Sequence, residues 1–166
     1  GVFSSTFING WMQQRLRDGV ETETGHLQIF RKGYPENRDV AHYFHPDDRP
    51  VLSENLPVKA SSPRLVVNAM AASAETARGV TAYGASPEAE SEVLNLHEKI
   101  VEGSWFESPY SREVVIGQKL ANRLQIGVRS KLVLRFQDVE GTLTGGAFRV
   151  AGIFQTNNTA FDGAHV

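Results

Sequence analysis

Residues 113–127, Glu-Val-Val-Ile-Gly-Gln-Lys-Leu-Ala-Asn-Arg-Leu-Gln-Ile-Gly, confine this chain to few folds. The apolar run at 114–116 reads as a short buried strand. From Gly117, which ends it, Leu120, Ala121 and Leu124 recur at i+3, i+4 and i+7, one stripe of an amphipathic helix. Gly127 supplies a stop signal. Leu132, Leu134 and Phe136 then alternate with polar residues, and a further strand runs through Phe-Arg-Val-Ala-Gly-Ile-Phe-Gln-Thr at 148–156. The turn-rich stretch at 138–146 separates the two, so the unit reads strand, helix, strand, loop, strand. None of its residues suits acid–base chemistry.

The N-terminal stretch carries the other strong pattern. Phe3, Phe7 and Trp11 form one i, i+4 row beside a second row of Ile8, Met12, Leu16 and Val20, which predicts a long amphipathic helix. Gly10 and Gly19 each weaken it by about 1 kcal/mol relative to alanine. Arg15, Arg17 and Asp18 give it no large cationic face, which argues against a helix lying on a membrane surface. Residues 25–31 then read as a strand and Lys32-Gly-Tyr-Pro35 as a bend. Pro46-Asp-Asp suggests a short helix reaching Leu56, and Ser-Ser-Pro at 61–63 marks the passage into a second subdomain. Residues 65–72 and 80–83 predict a hairpin. Ser86-Pro-Glu-Ala-Glu opens a helix with a capping hydroxyl, a proline where no amide bond is needed, and acids at the positive helix end. Val93, Leu96 and Ile100 would be its buried stripe, before Glu-Gly-Ser-Trp-Phe at 102–106 breaks it.

With 166 residues the chain builds one core or two small subdomains. Its 17 basic and 19 acidic residues leave a net charge of −2 without a basic block, so nucleic acid is not an expected partner. The absence of cysteine removes disulfides, zinc thiolates and thiol nucleophiles, and suits an exported location without requiring one. No stretch approaches the ~18 consecutive apolar residues that span a bilayer.

Candidate chemistry is sparse. His42, His45, Asp47 and Asp48 resemble a zinc ligand set, but Pro46 pushes His45 out of helical geometry and spoils a shared face, so no metal is expected. His97 reads as a packing residue. No Gly-x-Ser-x-Gly elbow is present, and the glycines of 141–146 lack the Gly-Lys-Ser/Thr of a phosphate loop. The carboxylate pairs Asp47/Asp48 and Glu88/Glu90 lack an apolar setting that would raise a pKa, and read as surface charges. Catalytic, cofactor-binding and metal residues are all expected to be absent. Trp105, Phe106 and Tyr110, in a loop punctuated by glycine and proline, form the one candidate interaction loop; the alternative is that Trp105 and Phe106 plug a junction between subdomains.

Taken with Gly-His-Leu-Gln-Ile at 25–29, Lys-Gly-Tyr at 32–34, Ser-Pro-Arg-Leu at 62–65 and Val-Glu-Gly at 101–103, the 113–127 block and Gly-Ile-Phe-Gln-Thr at 152–156 resemble the extracytoplasmic core domain of MacB, LolC/LolE and FtsX-like ABC transporter permeases. The likeness runs from about Gly10 to Asp162. It implies an α+β fold of two small subdomains: a porter-like strand-helix-strand layer bearing the N-terminal helix, and an inserted β-rich mixed sheet. The corresponding division is 1–61 for the helix and first part of the layer, 62–156 for the insert, and 157–166 for a return segment, with the layer completed beyond Val166. By the same resemblance a membrane helix would precede Gly1. Phe3, Phe7, Ile8, Trp11, Met12, Leu16 and Val20 would then form a coupling helix; the alternative is an ordinary core helix.

The function so implied is non-enzymatic: the domain conveys ATP-driven closure to a substrate outside the inner membrane. Its partners would be the membrane helices of its own chain, a separate ABC ATPase, a second permease copy or paralogue, and a lipoprotein, peptide or amphiphile substrate. The 25–29 and 32–34 elements favour lipoprotein release, although Asn157-Asn158 stands where lipoprotein-releasing members tend to have glycine. The alternatives are a free-standing extracytoplasmic module binding peptide or carbohydrate and, third, a small hydrolase.

Overall fold

Alternation along 131–137 gives a strand with Leu132 and Leu134 buried and Lys131 and Arg135 exposed, the pattern of a sheet covered on one face. The computed structural model describes residues 19–34, 43–44, 57–106, 108 and 110–166. The residues from Phe3 to Leu16, the 46–56 helix and the group His42, His45, Asp47 and Asp48 lie outside these; of the coupling-helix candidates only Val20 is described.

The described chain is α+β, built on a curled, mostly antiparallel sheet. Strands β1 (Arg64–Ala72) and β2 (Ala77–Ala85) form a nine-pair hairpin closed at 73–76, where the Ser73 hydroxyl accepts from the amides of Glu75 and Thr76. Helix α1 (Pro87–Val93) and a 3₁₀ turn (Leu96–Lys99) lead to β3 (Ile100–Gly103). β4 (Glu113–Gly117) and α2 (Gln118–Leu124) follow, then β5 (Lys131–Gln137) and the long β6 (Leu143–Phe154). The sheet order is β2-β1-β5-β6-β3, and β4 adds to β6 in parallel. Bulges in the β3–β6 and β4–β6 ladders bend this end of the sheet.

The core lies under α2. Ile116, Leu120, Leu124, Leu132 and Val150 are fully buried there against Ala69, Ala71 and Ala82, whose small side chains let the hairpin come close. The stripe read from 113–127 therefore faces inward as expected. A second cluster, Val115, Phe154 and Phe161, is packed by Tyr83, Leu96, Ile100, Trp105 and Phe106.

Four expectations are corrected. Helix α1 ends at Val93 instead of reaching Ile100, because Leu94 turns to an extended conformation (φ −121°, ψ 151°); the residue buried beyond the helix is Leu94, while Val93, Leu96 and Ile100 are half-buried. The Ser86 hydroxyl donates to the Glu88 carboxylate and makes no capping bond to the backbone. Helix α2 stops at Gln125, in left-handed geometry (φ 55°), two residues before the glycine expected to end it. Finally, residues 26–31 are exposed and form no strand: no described segment pairs with them, and an alternating pattern becomes a strand only where a neighbour accepts its backbone bonds.

Candidate functional site

The second cluster is where chain segments distant in sequence converge. Tyr83 of β2 stacks on His165 at 5.4 Å between ring centroids; His165 stacks on Phe161 at 4.2 Å; Phe161 meets Phe154 at 5.6 Å. Alongside, Trp105 stacks on Phe106 at 4.8 Å with His97 edge-on at 6.4 Å, separations typical of favourable aromatic pairs. The His97 Nδ1 lies 3.2 Å from the Leu94 carbonyl oxygen, which accords with a packing role. Tyr83, Trp105, Phe106, Phe154, Phe161, His165 and Arg64 line an apolar cavity of about 60 Å³ among the described residues, room for about two waters.

At the rim of the cavity stands a charged pair. Arg64, the first residue of β1, donates from Nη2 and Nε to the two carboxylate oxygens of Glu90 (2.7 and 3.0 Å), a bidentate geometry. Its Nη1 donates to the Glu23 carbonyl oxygen at 2.8 Å, and its guanidinium lies 5.8 Å from the centre of the Tyr83 ring. The Ser62 hydroxyl donates to the same Glu90 carboxylate at 2.7 Å. Glu90 is only 7 % exposed, which corrects its reading as a surface charge; Glu88, two residues away, is exposed. Burial of this depth costs a carboxylate its hydration, which the bonds from Arg64 and Ser62 replace.

Residues 20–25 complete this corner. One wide helical turn, Val20–Thr24, is closed by the Gly25 amide donating to the Val20 carbonyl at 2.8 Å. The Asn95 amide donates to the Glu21 carbonyl at 2.9 Å, and the Asn95 side chain to the Glu21 carboxylate at 3.3 Å.

The opposite side of the aromatic column is held by residues 156–166. The Thr156 amide and hydroxyl donate to the Asp162 carboxylate, the hydroxyl at 2.7 Å, and the Asn158 side chain accepts from the amides of Ala160 and Phe161. The Asp162 carbonyl accepts the Leu120 amide in the first turn of α2. Burial pushes the Asp162 carboxyl above its ordinary value; the Thr156 bonds, His165 and Lys119 act against that. The Thr156 of the Gly-Ile-Phe-Gln-Thr motif is thus the clasp of this loop. Residues 164–166 then run parallel to β2, with backbone bonds to Thr81 and Tyr83 of 2.7 to 3.2 Å.

The candidate interaction loop divides. Trp105 and Phe106 are half-buried against the second cluster, whereas Tyr110 is 93 % exposed. The hydroxyls that lie on carboxylates here, Ser62 on Glu90 and Thr156 on Asp162, tie segments together, and no three His, Asp or Glu side chains among the described residues group as metal ligands. What the arrangement can do is join segments firmly.

The whole chain, residues 1–166, matches the model of one family, the MacB-like periplasmic core domain. This chain belongs to that family. No curated protein matches it. A MacB-like periplasmic core domain is a non-catalytic, extracytoplasmic domain of an ABC transporter permease, on the periplasmic side of the membrane. No helix among the described residues is long and apolar enough to cross a membrane.

In this MacB-like domain the residues that sequence reasoning missed are Arg64, Glu90, Asn95, Asp162 and His165. One signal was present. Pro87 and Glu90 share the buried face of α1 at i and i+3, and Leu94 is buried just past its end, so a charge stands between buried apolar residues there, the mark of an internal pair.

Proposed function

We propose that this domain transmits ATP-driven movement of its permease to a substrate on the periplasmic side, with lipoprotein release favoured over export of a peptide or small amphiphile. Phe3, Phe7, Ile8, Trp11, Met12, Leu16 and Val20 serve as the coupling helix, the 62–156 region as an insert in the layer formed by 1–61 and 157–166, and Trp105, Phe106 and Tyr110 as the loop that meets substrate or a second permease copy. An ABC ATPase, in a separate chain or another domain, supplies the energy.

One observation carries this reading: the two segments flanking the sheet dock on the same hairpin. Glu23 is held by Arg64 of β1, and residues 164–166 by Thr81 and Tyr83 of β2. A force arriving along either segment is felt by the same two strands. Packed, hydrogen-bonded elements convey displacement where a flexible tether does not.

The test is a short Gly-Ser insertion after Gly19 in the full-length permease, reconstituted with its ATPase in vesicles. A Gly/Ser linker behaves as random coil. ATP hydrolysis should persist while substrate release falls. Unchanged release would remove the transmission role, and binding of free peptide or carbohydrate without any dependence on ATP would favour a binding module instead.

A further inference from the structure

We propose that Arg64, held by Glu90, is the joint through which movement of the polypeptide at residues 20–25 reaches the β-sheet, a positioning role that rests on the transport reading above. Three segments meet in one guanidinium. Its Nε and Nη2 are committed to Glu90 of α1, its Nη1 to the Glu23 carbonyl, and its own backbone opens β1. The planar fork fixes all three directions at once, which a lysine ammonium cannot do. The side chains are 14 % and 9 % exposed, so solvent and salt screen the pair little. Ser62 completes the coordination of Glu90.

A purely apolar seat would hold residues 20–25 equally close, yet burial is non-directional and would let the turn slide. The guanidinium fork fixes its position against β1, whereas the Asn95–Glu21 bonds tie it only to the turn after α1. From Arg64 the displacement passes into nine paired positions with β2 and four with β5. The joint therefore separates two properties that ordinarily travel together, how tightly the segment is bound and whether it can slip.

That separation makes the test. A buried ion pair replaced by apolar residues of similar volume commonly keeps its stability, so Arg64→Met with Glu90→Leu removes the direction and keeps the seat. The segment contributes no cysteine, so spin labels at Thr24→Cys and Arg78→Cys, in a full-length permease otherwise free of cysteine, report the distance between turn and hairpin. In the double variant the distance distribution should broaden, ATP hydrolysis should stay within about twofold, and ATP-driven release should fall about tenfold, the scale of coupling between sites.

A distribution as narrow as that of the unsubstituted protein overturns the proposal, as does broadening with release intact. If the double variant does not fold, Arg64→Lys serves: the ammonium's three donors sit on one nitrogen and lack the planar fork whose three nitrogens hold Glu90 and Glu23 in fixed directions, so partial broadening and partial loss are expected, and no change in either overturns the joint. Absence of ATP-driven release from the unsubstituted permease, with broadening still seen in the variant, would instead remove the transport reading and leave the joint.

Discussion

The carbonyl oxygen of Asp162 lies 2.2 Å from where a β-carbon on Gly117 would sit, and the Asp162 Cα lies 2.5 Å from the same point. Two backbones are in direct contact there, at the strand-to-helix passage, and the same carbonyl accepts the Leu120 amide. Glycine is required for closeness, since its φ of −71° is open to any residue. Gly117→Ala must separate the 156–163 loop from α2. The expected loss is about 1–3 kcal/mol or more, the range of overpacked cores, read by urea denaturation.

Leu120 and Leu124 are fully buried under the sheet. Truncating either to alanine should cost about 2–5 kcal/mol by thermal or chemical denaturation. A loss under about 0.5 kcal/mol at both would put them on the surface.

Removing one partner of the Arg64–Glu90 pair strands a buried charge. Glu90→Ala or Arg64→Ala should each destabilise by about 3–5 kcal/mol, and a double-mutant cycle should show the double variant losing far less than the sum. Additive losses would mean the pair is not energetically coupled.

Asp162 titrates with a sign opposite to that of most folded-state carboxylates. Its folded pKa is raised above the ordinary 3.8, so the native state binds the proton more readily than the unfolded chain. Its contribution is therefore greatest below the unfolded value and is lost as pH rises through the window between the two pKa values. Stability compared across this range with Asp162→Asn should show the deficit of the variant shrinking as pH rises. A deficit that grows with pH would reverse the assignment.

Tyr110 and Trp105 should respond differently to truncation. Tyr110→Ala, at 93 % exposure, should change stability by less than about 0.5 kcal/mol. Trp105→Ala, which opens the stack on Phe106, should cost about 3 kcal/mol, the lower end for such truncations.

How much was legible follows from how local each determinant is. The β4–α2–β5 unit and the β1–β2 hairpin were readable because period and turn chemistry lie within a dozen residues. The truncation of α1 was not: Leu94 and Asn95 leave the helix to serve partners elsewhere, Asn95 bonding Glu21 across 74 positions. Arg64 and Glu90 are 26 residues apart, and no periodicity links them. Residues 25–31 show the converse, a sound strand pattern without a described neighbour. The resemblance of motifs to the permease domains identified the family, which residue chemistry alone, poor in nucleophiles and ligands, left open.

The backbone bonds that residues 164–166 make to Thr81 and Tyr83 bear on solubility as well as on anchoring. β2 ends the ladder order, and a bare outer strand invites another chain to add to it. Three residues cover its second half, while Arg78 stands exposed on the first, a charge that discourages intermolecular strand addition. Loosening the Thr156–Asp162 clasp would thus do more than free residues 164–166: it would uncover a template for self-association, and the first symptom would be concentration-dependent aggregation, ahead of any loss of helical signal.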